Sequence, residues 1–165
     1  MDTETKIYFH EKQRFTNPLI YISVVIVLLA PLLDYISEGH LPRFRNGFLV
    51  AMILSVLIIA VSFLVQLETR IDETGVYYRF SPFGKKFNSF PLENIEEIKL
   101  RKYKPLREYG GWGLRHSFKN GKAVNVKGKD GIQLVLKDAK KILIGTQMPK
   151  EAEEAIHLLL SKKSI

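Results

Sequence analysis

The sequence predicts an α+β membrane protein: an N-terminal two-helix transmembrane hairpin, then an antiparallel β-sandwich or partly closed barrel with a C-terminal capping helix. Three observations lead there. Two long apolar stretches lie within the first 67 residues, short alternating runs punctuated by Gly and Pro fill the middle, and an amphipathic helical pattern closes the chain.

The apolar stretches come first. Residues 19–36 read LIYISVVIVLLAPLLDYI and residues 48–67 read FLVAMILSVLIIAVSFLVQL, with Asp34 the only charge in either. As helices they extend roughly 27 and 30 Å, close to the thickness of a bilayer's hydrocarbon core. A cleaved signal peptide has a shorter apolar region and a small-residue cleavage site, and neither is present in 19–36. Two spans joined by residues 37–46 are therefore expected, with Pro31 a kink position and Asp34 at headgroup level. The expected division is 1–67 for the N-terminal segment and hairpin, and 68–165 for a β-domain.

Charge predicts the orientation. Lys6, Lys12 and Arg14 precede the first stretch and Arg70, Arg79, Lys85 and Lys86 follow the second, against Arg43 and Arg45 in the loop. Basic residues concentrate on the cytoplasmic side of membrane proteins. Both termini and residues 68–165 are thus expected in the cytoplasm, in an integral protein of the cell (inner) membrane. Residues 1–67 hold five basic and five acidic residues, and the rest hold twenty and twelve, so the net charge of +8 resides in the C-terminal part. A basic domain beside an anionic leaflet gains about 1 kcal/mol per nearby Lys or Arg. Membrane lipids are the expected partner and nucleic acid is not, with a protein partner in the membrane as the alternative. The small residues Ala51, Ser55, Ala60 and Ser62 allow close helix approach in such an assembly.

Residues 74–80 alternate, with Val76, Tyr78 and Phe80 on one face. Ser81-Pro82-Phe83-Gly84 turns the chain toward a partner strand over 86–90. Residues 95–103 alternate again, with Ile98 and Leu100 opposite Lys99 and Arg101. Asn120-Gly121 and Asp130-Gly131 each signal a tight hairpin turn. Ile132, Leu134 and Leu136 share a face, and Asp138-Ala139-Lys140 leads into the apolar run Ile142-Leu143-Ile144. Six or seven short strands result. Pro149 opens the last helix, acids follow it, and Lys162 and Lys163 close it, as the helix dipole favours. Ala152, Ala155, Ile156, Leu159 and Leu160 form its apolar stripe.

No catalytic constellation is apparent. The chain has no cysteine, and so no disulfide or thiolate site. His10, His40, His116 and His157 lack ligand spacing with one another or with carboxylates. Gly121-Lys122 is followed by Ala123 where a phosphate loop needs Ser or Thr. No enzyme activity, metal or cofactor is expected. The candidate contacts to an anionic surface are Lys102, Lys104, Arg107, Trp112 and Arg115. The basic run that opens with Lys99 and Arg101 serves either as a solvated strand face or as a site for acidic groups. Trp112, set among glycines, serves either at a membrane interface or as a plug of the β-core.

The order of several short motifs resembles a known family. These are Glu11-x-Gln13-x-Phe15, Thr74-Gly75-Val76-Tyr77, Pro91-Leu92-Glu93-Asn94-Ile95, Gly111-Trp112-Gly113-Leu114-Arg115, Gly128-x-x-Gly131-Ile132-x-Leu134, and Ile144-Gly145-Thr146 ahead of Pro149. The chain resembles small bacterial membrane proteins in which two spans precede a pleckstrin-homology-like domain. The resemblance implies that fold for 68–165 and no assigned enzymatic activity. Domains of the pleckstrin-homology-like class often bind acidic headgroups or peptides.

Overall fold

The segment ahead of the first apolar stretch folds as a strand. The computed structural model describes residues 6–15, 18–38 and 45–163. Its elements are β1 (Ile7–Arg14), α1 (Pro18–Glu38), α2 (Arg45–Leu64), β2 (Gln66–Asp72), β3 (Gly75–Ser81), β4 (Asn88–Pro91), a 3-10 turn (Leu92–Asn94), β5 (Ile95–Lys102), α3 (Pro105–Tyr109), β6 (Gly113–Ser117), β7 (Gly121–Asn125), β8 (Asp130–Leu136), β9 (Lys141–Thr146) and α4 (Pro149–Lys163). The chain divides into two units: one holds α1 and α2, and β1 groups with everything described from Val65 on. β1 pairs antiparallel with β2, from Arg14↔Gln66 to Ile7↔Asp72. The helical pair is therefore an insertion between neighbouring strands, and the unit boundary falls elsewhere than between residues 67 and 68.

The expected transmembrane hairpin is corrected. No helix among the described residues is long and apolar enough to cross a membrane. In the second stretch α2 ends at Leu64, and Gln66 and Leu67 join β2. The apolar helix from residue 48 then extends roughly 26 Å, short of a core about 30 Å thick. The first stretch reaches only about 27 Å and contains Asp34. The integral inner-membrane placement, with both termini and residues 68–165 cytoplasmic, loses its basis with the spans. Residues 39–44, the centre of the expected loop, lie outside the described residues, as do the side chains of Pro31 and Asp34.

Within their own unit, α1 and α2 meet through small and polar groups. Val24, Ser55 and Ser62 are buried, the Tyr21 hydroxyl lies 3.3 Å from Ser62 Oγ, and Ser62 Oγ donates to the Ile59 carbonyl at 2.7 Å. Elsewhere the pair exposes apolar side chains, with Ile26, Leu33, Ile36, Ile53, Val56 and Leu64 all 61–69% exposed. An apolar surface of this extent marks a site of interaction.

The β-unit has two sheets. The first runs β1-β2-β3-β4 and the second β5-β8-β9-β7-β6. The first is antiparallel throughout; the second contains a parallel pair, β7 with β9, which corrects the expectation of a purely antiparallel sandwich. The reason lies at Asp130-Gly131. These residues close no hairpin but already pair with Lys102 and Arg101 of β5. The bend falls earlier, at Gly128, whose φ is +83°, and β8 crosses away from β7 to leave room for β9. Asn120-Gly121, by contrast, joins β6 to β7 as expected.

One core serves both sheets and α4. Leu67, Ile71, Val76 and Tyr78 enter from the first sheet; Ile98, Val124, Ile132, Leu134 and Ile144 enter from the second; Ala152, Ala155, Ile156 and Leu159 enter from α4. Burying each large aliphatic side chain contributes about 1.5–3 kcal/mol. The Glu11-x-Gln13 motif crosses between the sheets. Gln13 Nε2 donates to the Gly145 carbonyl at 2.7 Å. Glu11 accepts from Thr146 Oγ1 at 2.7 Å and from the Gln147 N–H at 2.8 Å. β1 is thereby clamped to the end of β9 just before α4.

The β8–β9 turn holds the one non-glycine residue with positive φ among those described, Ala139 at +63°. Left-handed backbone costs an L-residue about 1 kcal/mol, and glycine escapes that cost while gaining freedom in the unfolded chain. Ala139→Gly should raise stability by about 0.5 kcal/mol, seen as a higher urea midpoint. A lower midpoint would show that the turn is not strained.

Candidate functional site

The segment Lys102-Tyr103-Lys104-Pro105-Leu106-Arg107-Glu108-Tyr109 leaves the end of β5 and makes one short helix. Pro105 suits its first position. Gly110, with φ +71°, ends it in left-handed backbone, where the Gly110 N–H donates to the Leu106 carbonyl and the Gly111 N–H to that of Pro105, both at 3.0 Å. Glu108 folds back over the helix start and accepts from the Lys104 N–H at 2.7 Å. Arg101 holds the assembly to the sheet: it donates to Glu108 at 2.9 Å, to Gln133 Oε1 at 3.0 Å and to the Tyr109 hydroxyl at 3.2 Å.

Trp112 follows the glycine pair, and its Nε1–H donates to the Gly128 carbonyl at 3.3 Å. This closes a recess of about 540 Å³, lined chiefly by Lys102, Lys104, Leu106, Arg107, Trp112 and Lys129. Four of the five residues singled out in the sequence thus meet around one concavity. Arg115 is not among the lining residues. It donates instead to the Trp112 carbonyl at 2.9 Å and props the loop from outside. Lys129 was missed because it sits in a turn far along the chain. The β5–β8 register brings it in, with the Tyr103 N–H donating to the Lys129 carbonyl at 2.7 Å.

The recess favours anions. Its lining holds one carboxylate, Glu108. Partial burial raises that group's pKa, but the Lys104 N–H and the Arg101 guanidinium outweigh it and hold the carboxyl below the ordinary range. Among the described residues no carboxylate pairs with the side chains of Lys102, Lys104, Arg107 or Lys129. Beneath lies a second small core in which Tyr103 and Tyr109 meet edge-to-face at 6.1 Å beside Ala123 and Leu143. Burial pushes the Tyr103 hydroxyl up to about 12, so it stays protonated.

One constellation escaped the sequence reading. β1–β2 pairing places His10 Nε2 2.9 Å from Glu68, a histidine–carboxylate contact between residues far apart in the chain. Lys12 lies 3.4 Å from the same carboxylate, and Arg79 donates to it as well. Burial raises the Glu68 pKa, but His10 and Arg79 outweigh it and hold the carboxyl below the ordinary range. A carboxylate held below the ordinary range by a histidine and by the cations Lys12 and Arg79 is a strand-pairing device, not a base poised near neutral pH. Among the described residues no group of three or more His, Asp or Glu side chains is placed to hold a metal ion. Comparison with family models and with curated proteins returns no match.

Proposed function

We propose that the chain is a non-enzymatic binding module whose basic recess engages the anionic headgroups of lipids. The observation that carries this reading is the convergence of Lys102, Lys104, Arg107 and Lys129 around Trp112. Long basic side chains keep their charge at the surface while their stems cover apolar walls, and tryptophan suits the boundary between headgroups and hydrocarbon. At about 1 kcal/mol per cation, four supply about 4 kcal/mol, a millimolar affinity. The two-sheet unit with its C-terminal helix is compatible with the pleckstrin-homology-like resemblance, whose domains often take acidic ligands.

Trp112 is the chain's only tryptophan, so its emission reads the recess directly. The full chain should respond more strongly to vesicles containing phosphatidylglycerol than to phosphatidylcholine alone, and salt should weaken the response. Lys102→Ala with Lys129→Ala should lower the affinity about 30-fold, two charges at about 1 kcal/mol each. Equal responses to both vesicle types would sink the proposal. The exposed apolar surface of α1 and α2 favours a second reading, an assembly subunit, which crosslinking in intact cells with mass spectrometry would detect as a stoichiometric protein partner.

A further inference from the structure

We propose that the tips of two hairpins form a surface that inserts into an anionic lipid bilayer. The inference rests on the reading above for the class of partner, but its residues are different. The β3–β4 connection carries Phe83, 70% exposed, ahead of Lys85 and Lys86. The β6–β7 turn carries Phe118 beside Lys119, and Phe118 is 106% exposed, with its ring in a T-shaped contact with His116 at 6.1 Å.

The recesses beside the two tips share one lining residue, Lys122. A recess of about 410 Å³ is lined by Phe83, Phe87, Leu114, Lys85 and Lys86 together with Lys122. A second, of about 550 Å³, is lined by Phe118, Lys119, Lys140 and Lys141, again with Lys122. No carboxylate lines either, and only Lys140 has an acidic partner among the described residues, Asp138 at 2.7 Å. The turn is also tied to α3: Asn120 Nδ2 donates to the Glu108 carbonyl at 3.2 Å, and the Tyr109 hydroxyl donates to the Asn120 carbonyl at 3.3 Å.

Charge complementarity selects the occupant. Protruding aromatic rings above a bed of lysines, of which only Lys140 has an acidic partner among the described residues, match a surface that is anionic at the headgroups and apolar just below them. Lysine ammoniums are compact point charges without a fixed fork, suited to a fluid headgroup array rather than to one rigid ligand. Each ring entering the acyl boundary leaves water much as it would on burial in a core.

The test uses the full chain with Trp112→Phe and Phe118→Trp, so that the new tryptophan reports on the tip alone. In vesicles containing phosphatidylglycerol its emission should shift to the blue and be quenched by brominated acyl chains. With phosphatidylcholine alone it should stay solvent-like. Phe83→Ala and Phe118→Ala, with Trp112 retained, should each lower partition into anionic vesicles about ten-fold. α1 and α2 are unchanged in every variant, so the comparison of each variant with wild type isolates the tip. Wild-type partition of both alanine variants overturns the inference, as does a tip tryptophan indifferent to lipid or equally inserted in neutral vesicles. Shielding of that tryptophan from iodide without lipid overturns it in favour of a second copy of the chain. Trp112 emission, read separately, decides the recess: its loss with an intact tip response condemns the recess alone.

Discussion

Glu11→Ala should cost about 3 kcal/mol of folding stability, a large share of the 5–15 kcal/mol typical of a domain. Glu11 is 5% exposed and accepts from both Thr146 Oγ1 and the Gln147 N–H. Alanine leaves both donors short of an acceptor and opens a void between β1 and β9. Glu11→Gln keeps the shape and one acceptor oxygen, so it should cost only about 1 kcal/mol. Urea midpoints of the three chains measure this directly. Equal midpoints for alanine and wild type would mean that the clamp contributes nothing.

The same carboxyl has a distinctive pH signature. Burial pushes its pKa up, against the bonds from Thr146 and Gln147 that pull it down, and the net direction is upward. A raised folded value means that its contribution is full below the ordinary carboxylate range and is lost as pH rises through the folded value. Asp72 behaves oppositely. Burial raises its pKa, but the bonds from Thr74 and Arg70 prevail and lower it. Its contribution is present above the ordinary range and is lost as pH falls. Acidification should therefore narrow the stability gap between wild type and a chain lacking Asp72, and widen the gap between wild type and Glu11→Gln.

Gly121→Ala should cost about 3 kcal/mol for a different reason. Gly121 has φ +76°, which costs an L-residue about 1 kcal/mol. A Cβ there would lie 2.2 Å from the Lys141 carbonyl oxygen and 2.9 Å from its carbon. Those are backbone atoms at the start of β9, so relief requires moving the strand, at about 1–3 kcal/mol more. The parallel pairs Lys122↔Ile142 and Ala123↔Leu143 follow immediately. Hydrogen exchange should accelerate in β7 and β9 ahead of β1 and β2. An unchanged midpoint would show that the β6–β7 turn shifts without strain.

Elements governed by local order were legible in the residues. The α4 bounds follow from Pro149 and the stripe Ala152, Ala155, Ile156 and Leu159, whose side chains are buried as the periodicity requires. Val76, Tyr78 and Phe80 are buried on alternate positions of β3, and Asn120-Gly121 closes its hairpin. The expected six or seven strands became nine among the described residues, because Ile7–Arg14 and Gln66–Asp72 carry charges on faces that look solvated until paired. Glu68 is buried in that pair by His10, Lys12 and Arg79.

By itself, then, the sequence determined what depends on neighbours in the chain: helix and strand periods, the turns that glycine and proline permit, and the clustering of Lys102, Lys104, Arg107 and Trp112 within a few residues. Tertiary structure alone decided what depends on register between distant segments. It diverted Gln66 and Leu67 from an apolar run into β2, and it paired β1 with that strand across the helical insertion. It placed β9 between β8 and β7 and carried Lys129 into the recess beside Trp112. The physical reason is that periodicity is set by adjacent residues, whereas strand pairing exchanges backbone hydrogen bonds between segments of similar local pattern, and only the shared core selects among them.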